Sequence, residues 1–452
     1  MAVEHLIKGE ADWHEKINRN FDSVAEEAKK VAEETAANDK VPLPVDQTLD
    51  EGYVYLNPDG KTKLIHPGDV TSRFKYSVIV DNGYDGTPGA VEYADDCAGF
   101  TPMTMTDDGP DYGDWAGNIL LNMFKPCVIA PEDDAPKYYL RKEEMTKKLD
   151  GTDAVLTGED GDVMVEVDGI LYGRITTSGS KVKVSIMNYK EYDDCFCFND
   201  IGGEIKPKIY RGRYKAGVVA DATSVMRSIS NVVPLVSVTR ATCRTRAKNR
   251  GEAYHQNNIF MLFLWQAMFL LLFKNRNSQA VLGKGRTGLA YEGNTGEACG
   301  WSDDKSWIWG NQTGTDGVVF LGVEDFYGNV WEWVDGCVLN NLVYKVTRDP
   351  ALYNDTGDGY EISAPCGMSN ATDHGKYLKS VQGTNDLGFL PASTGGSSAT
   401  YYCDYFWIND AVQVVGFGGY WVVGAYAGAF FWHLYAGAGS AGAAVGSRLC
   451  RA

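Results

Sequence analysis

Residues 12–37 contain neither glycine nor proline, and Trp13, Ile17, Asn20, Val24, Ala28, Val31 and Thr35 recur at spacings of three and four among Lys and Glu. That period predicts a helix with one narrow apolar stripe. Such a stripe suits a short coiled coil between subunits, and equally a solvated helix lying on its own domain. Asn38-Asp39 and the VPLPV stretch then stop the helix, because proline cannot continue it. Over 41–185 the pattern shifts to short alternating segments closed by turn residues. YVYL precedes Asn57-Pro58-Asp59-Gly60, YSVIV precedes Asp81-Asn82-Gly83 and VMVEV precedes Asp168-Gly169; each reads as a strand entering a turn. From residue 186 onward glycine punctuates long segments rich in Trp and Tyr, with one continuous apolar run from Ile259 to Phe273. The run predicts a helix over 257–275 that is buried on every side, and it is shorter than the roughly 20 residues a membrane span requires. The pattern therefore predicts an α+β protein in three regions: an N-terminal helix (1–40), one or two β-rich modules (41–185) and a larger C-terminal domain (186–452).

The segment GFGGYWVVGAYAGAFFWHLYAGAGSAGAAVGSRLC, from Gly416 to Cys450, carries the most information, and no charged residue lies between Asp410 and Arg448. Phe430, Trp432 and Leu434 alternate with Phe431, His433 and Tyr435, so a strand here sends the two sets to opposite faces. Trp421 likewise separates Tyr420 from Val422. One face is expected in the core; the other exposes Tyr, Phe and Val without charge, and such apolar patches mark interaction sites.

Composition narrows the function. The chain has 452 residues, 12% aromatics, 51 glycines and a formal charge of -18, a balance that repels polyphosphate and argues against nucleic-acid binding. The ten cysteines include no CxxC pair and read as buried thiols, with a few disulfides open as an alternative. The N-terminus lacks the apolar stretch of a secretory leader, so export by that route is not expected. The Asp/Gly-rich LDGTDAVLTGEDGDVMVEVDG lacks the ligand spacing of a calcium loop and reads as turn chemistry. His5, His14, His66, His255, His374 and His433 form no HxxxH pair, and His255, just before the apolar helix, reads as structural. No metal, no cofactor and no membrane insertion are expected. No GxSxG, Walker or GxGxxG pattern appears, and GKGRTG (283–288) reads as a turn after the long helix.

The 416–450 segment resembles the variable regions of proteins diversified by retroelements, a family built on a C-type lectin fold that includes phage tropism determinants. In that family, template asparagine codons are altered at adenines, and Tyr, Val, His, Ala, Ser and Gly are all reached from AAC in this way. The resemblance implies that Tyr420, Val422, Val423, Tyr426, His433, Tyr435, Ala436, Ser440, Gly442 and Ala444 are diversified, ligand-binding positions, with Phe431 added because it is one step from Tyr. Trp421, Ala427-Gly428, Phe430, Leu434 and Gly446-Ser447-Arg448-Leu449 are then the fixed scaffold. GNVWEWVDG (328–336) is similar to the signature of formylglycine-generating enzymes, and RSIS (227–230) followed by TRATCRTRAKNRG resembles their upstream half. Trp331 and Trp333, two apart on one strand face, are expected in the core.

WHEKINRNF resembles the start of phage tail-tip proteins. The resemblances together imply a non-enzymatic adhesin on a virion tail tip, trimeric through its N-terminal helix and seated on tail structural proteins. Its partner would be a protein or glycan on a host-cell surface. The alternatives are a variable lectin displayed on a bacterial surface and an oxidase of the formylglycine-generating type. For the oxidase, Cys403 and Cys450 would be the thiol pair, but neither lies in a reactive motif. Calcium-dependent sugar motifs are absent, whereas direct stacking of a sugar on Tyr420, Tyr426 or Tyr435 stays open.

Overall fold

The alternating segments form strands and the continuous apolar run forms a helix. The computed structural model describes residues 53–56, 62–65, 73–83, 86–291 and 296–452; the helix and coiled coil expected over 12–37 lie outside the described residues. The chain divides into two units, Met1–Arg73 and Phe74–Ala452. In the first, Tyr53–Leu56 pairs antiparallel with Thr62–Ile65.

The second unit is mixed α+β, mostly strands with few helices, and the largest sheet curls. A five-stranded antiparallel sheet runs in the order Phe196–Cys197, Tyr172–Ser178, Lys181–Met187, Lys75–Asp81, Val91–Asp95. A six-stranded sheet has the order Tyr254–Gln256, Leu449–Arg451, Lys208–Gly212, Asp162–Asp168, Phe124–Ile129, Tyr138–Tyr139. Strand pairing in this second sheet runs across residue 185, so the regions 41–185 and 186–452 read from the sequence share a sheet and, through Val163, Val165 and Ile209, a core.

The third sheet carries the site. Its order is Ile362–Pro365, Val343–Val346, Trp331–Asn340, Val412–Phe417, Trp432–Ala436, Tyr405–Ile408, Lys376–Val381, Pro391–Thr394, with Val445–Gly446 parallel to the start of Trp331–Asn340. Behind it lies the helix Ile259–Phe273, all of whose side chains are buried. Asn258 caps it by accepting from the N–H groups of Phe260 and Met261, and the chain leaves through Lys274 at φ 50. Gln266 donates 2.8 Å to the Ala429 carbonyl, which ties the helix to the turn before the Trp432–Ala436 strand. No described helix is long and apolar enough to cross a membrane.

Charge is buried beside this apolar layer. Glu332, fully enclosed, receives Arg448 at 2.7 Å, Lys215 at 3.0 Å and Arg211 at 3.2 Å. A lone carboxylate among three cations is tolerable out of water because each partner is hydrogen-bonded as well as charged. Arg448 also donates to the carbonyls of Gly212, Arg213, Glu324 and Asp325, so one guanidinium fastens several turns. All ten cysteines are buried free thiols.

Candidate functional site

Sheet register builds the site. Trp333 lies opposite Gly416, Gly416 opposite His433, and His433 beside Trp407. Laterally paired residues share a sheet face, so these four form one row across four strands. Gly416 keeps the row open: a Cβ there would lie 3.3 Å from that of His433. Two residues along each strand the same face carries Trp331, Tyr435 and Tyr405. The opposite face sends Trp432, Leu434, Phe406 and Ile408 into the core.

Two loops wall the row into a groove of about 680 Å³, lined by Trp331, Trp333, His374, Trp407, Gly416, Tyr420, Val422, Val423, Tyr426, His433, Tyr435, Ala436, Ser440, Gly442, Ala444 and Val445. The first loop turns at Gly418 and Gly419, whose φ angles of 91 and 89 favour glycine. It is held by backbone atoms: Trp421 N–H donates to the Asn329 carbonyl (3.1 Å), Leu289 N–H to that of Trp421 (2.8 Å) and Gly424 N–H to that of Thr287 (2.8 Å). Gln279 adds bonds to the carbonyls of Gly424 and Ala427. The second loop is anchored where Ser237 N–H meets the Gly442 carbonyl (3.0 Å) and Trp331 N–H that of Ala444 (2.9 Å).

Every position expected to be diversified lines this groove except Phe431. Phe431 lies on the expected side of the chain but is fully buried, its ring 4.5 Å from that of Trp331. Its exposure is therefore corrected: the chain is still in a turn there, with Phe431 N–H bonded to the Gly428 carbonyl, and the ring is pressed under the groove floor. Tyr426 and Tyr435 are 38% and 48% exposed, Tyr420, Val422, Val423, His433, Ser440 and Ala444 are half-buried, Gly442 is open and Ala436 is buried at the groove base. The scaffold residues Trp421, Ala427, Gly428, Phe430, Leu434, Gly446, Ser447, Arg448 and Leu449 are all buried.

The hydroxyls of Tyr420, Tyr426, Tyr435 and Ser440, and the indole N–H groups of Trp331 and Trp407, have no hydrogen-bond partner among the described residues. Tyr426 stacks on Tyr405 at 4.2 Å and meets Tyr377 edge-on at 5.7 Å. His374 Nδ1 donates to the Ile408 carbonyl at 2.5 Å; the ring lies 4.7 Å from Tyr435 and 5.3 Å from Trp407. Burial pushes His433 down to about 4, so it is uncharged at neutral pH. No Asp, Glu, Lys or Arg lines the groove.

Sequence reasoning placed Trp331 and Trp333 in the core. Both are buried, and both also floor the groove. His374 and Trp407 were missed; the one available signal was the alternation of Tyr405, Trp407 and Asn409 against Phe406 and Ile408.

Among the described residues no group of three or more His, Cys, Asp or Glu side chains is placed to hold a metal. Burial pushes the thiols of Cys403 and Cys450 up to about 12. No protein-family model matches the chain, and no curated protein matches it.

Proposed function

We propose that this chain is a diversified ligand-binding protein of the retroelement-variable class on a C-type lectin fold, serving as a phage tail-tip adhesin for a host-cell surface. One observation carries the reading: positions picked from the sequence because they are reachable from AAC converge on a single groove, while the residues picked as scaffold, Trp421, Ala427, Gly428, Phe430, Leu434 and Gly446 to Leu449, are buried. The groove loops are tied down by backbone atoms and by Gln279, so side chains at the groove positions can change without undoing the loops. Tyrosine supplies wide amphipathic contact with little rotamer entropy to lose, and Ser, Gly and Ala adjust shape around it. Thiols held protonated are poor nucleophiles, which weighs against the oxidase reading. Trimer formation through 12–37 would add avidity to a modest single-site affinity.

The test is a panel of variants randomised at Tyr420, Val422, Val423, Tyr426, His433, Tyr435, Ser440, Gly442 and Ala444. Members should stay folded and differ in the cells they adhere to. Adherence that is indifferent to groove sequence contradicts the reading. At the DNA level, a near-copy of the 416–450 coding segment differing only at adenines should lie beside a reverse transcriptase gene.

A further inference from the structure

Four of the sixteen residues that line the groove lie outside the variable segment. His374 and Trp407 come from 370–408, and Trp331 with Trp333 from the Trp331–Asn340 strand, yet all four line the same space as Tyr420, Tyr426 and Tyr435. The indoles of Trp333 and Trp407 flank His433 in one lateral row, and Trp331 meets the His433 ring edge-on at 5.1 Å. This is an aromatic wall, its rings set at steep angles to one another, that persists whatever the variable residues become.

Three features define what such a wall accepts. The lining carries no Asp, Glu, Lys or Arg and His433 is uncharged, so an ionic group entering it would lose water without a counter-charge. Unpaired donors cluster around it, namely the indole N–H groups of Trp331 and Trp407 and the hydroxyls of Tyr420, Tyr426, Tyr435 and Ser440, and His374 Nε2 adds a further polar atom. A ligand that only buries apolar surface would strand these groups, whereas a polyol, which both donates and accepts, satisfies them. A concave space of about 680 Å³ also falls in the range of small-molecule sites rather than the broad, shallow patches of protein partners.

Resting on the binding reading above, we propose that the fixed wall of His374, Trp407 and Trp331 seats one neutral hexopyranose ring of a surface glycan, and that the variable residues select which sugar and linkage. The ring's C–H face lies on indole, and its hydroxyls take the free donors and His374 Nε2.

Saturation-transfer NMR on the full chain tests this with methyl glucoside, galactoside, mannoside and N-acetylglucosaminide, and with methyl sialoside as the charged comparison. At least one neutral glycoside should receive saturation on the protons of one ring face, unchanged in 1 M salt, while the sialoside receives none. Trp407→Ala should abolish the signal; because that variant can perturb the sheet, His374→Ala, a change at a half-buried loop residue, should weaken affinity by about tenfold or more. No transfer to any neutral glycoside overturns the proposal, and so does transfer that survives both substitutions. If the chain still adheres to cells through Tyr420, Tyr426 and Tyr435 while ignoring every glycoside, the partner is a protein: the sugar assignment falls and the binding reading stands.

Discussion

Arg448 Nε donates to Glu332 Oε1 at 2.7 Å across 116 residues of sequence, and neither side chain is exposed. The bond locks the end of the 416–450 segment to the strand that floors the groove. Between this anchor and the Gly416 row the groove positions are framed by the buried residues Trp421, Phe430 and Leu434. Under the proposed function such a surface can be rewritten only if its frame is fastened elsewhere, and the Arg448–Glu332 pair supplies that fastening.

Removing the anion should therefore be severe. Glu332→Ala leaves Arg211, Lys215 and Arg448 buried without their counter-charge, and breaking a buried pair in this way costs about 3–5 kcal/mol. Urea denaturation followed by tryptophan fluorescence checks it; a loss under about 1 kcal/mol contradicts the role assigned to this cluster.

The same carboxylate sets an acid limit. Burial alone would raise the Glu332 pKa, but Arg448, Lys215 and Arg211 outweigh it and hold the group well below its ordinary 4.5. In the unfolded chain the proton binds first, so this stabilisation is fully present above pH 4.5 and is lost as the pH falls toward the folded value. The urea midpoint should fall steadily below pH 4.5, and the slope should be shallower in Glu332→Gln measured beside it. Equal slopes count against Glu332 as the main acid-sensitive group.

Glycines in the segment divide into two kinds. A Cβ on Gly428 would lie 2.2 and 2.4 Å from the Asp404 carboxylate oxygens and 2.4 Å from Ser278 Oγ, whereas one on Gly439 would meet nothing within 4 Å. Gly428→Ala should cost about 1–3 kcal/mol through overpacking, and Gly439→Ala should stay within about 0.5 kcal/mol of the parent. Thermal melts of the two variants separate these outcomes.

Trp432 is fully enclosed and Trp421 is 3% exposed, so alanine at either should cost about 3–5 kcal/mol. A near-parental melting temperature would show that the ring in question is not core.

Much of this arrangement was legible in the residues. The apolar run fixed the buried helix, since no other element is apolar all round, and the alternation through 432–435 gave the faces of the site strand. Local period reports which side a residue takes. It does not report how deep that side lies, which is why Phe431 was expected at the surface: its burial comes from Trp331, brought in by strand pairing across 100 residues of chain. His374 and Trp407 escaped for the same reason, because only the register of Trp407 beside His433 brings them to the groove. The Glu332 cluster was equally invisible, since Arg211, Lys215 and Arg448 meet it only through the folded sheets.

The central claim is that groove side chains serve recognition and not folding. Tyr420, Tyr426 and Tyr435 replaced together by Ser measures it most directly, with the melting curve and host-cell adhesion read on the same preparation. Each ring contributes about 0.5–1.5 kcal/mol through its aromatic contacts, so a single cooperative unfolding transition should remain, while adhesion should weaken about a hundredfold or more. A variant that no longer folds, or one that adheres as tightly as the parent, would contradict the account.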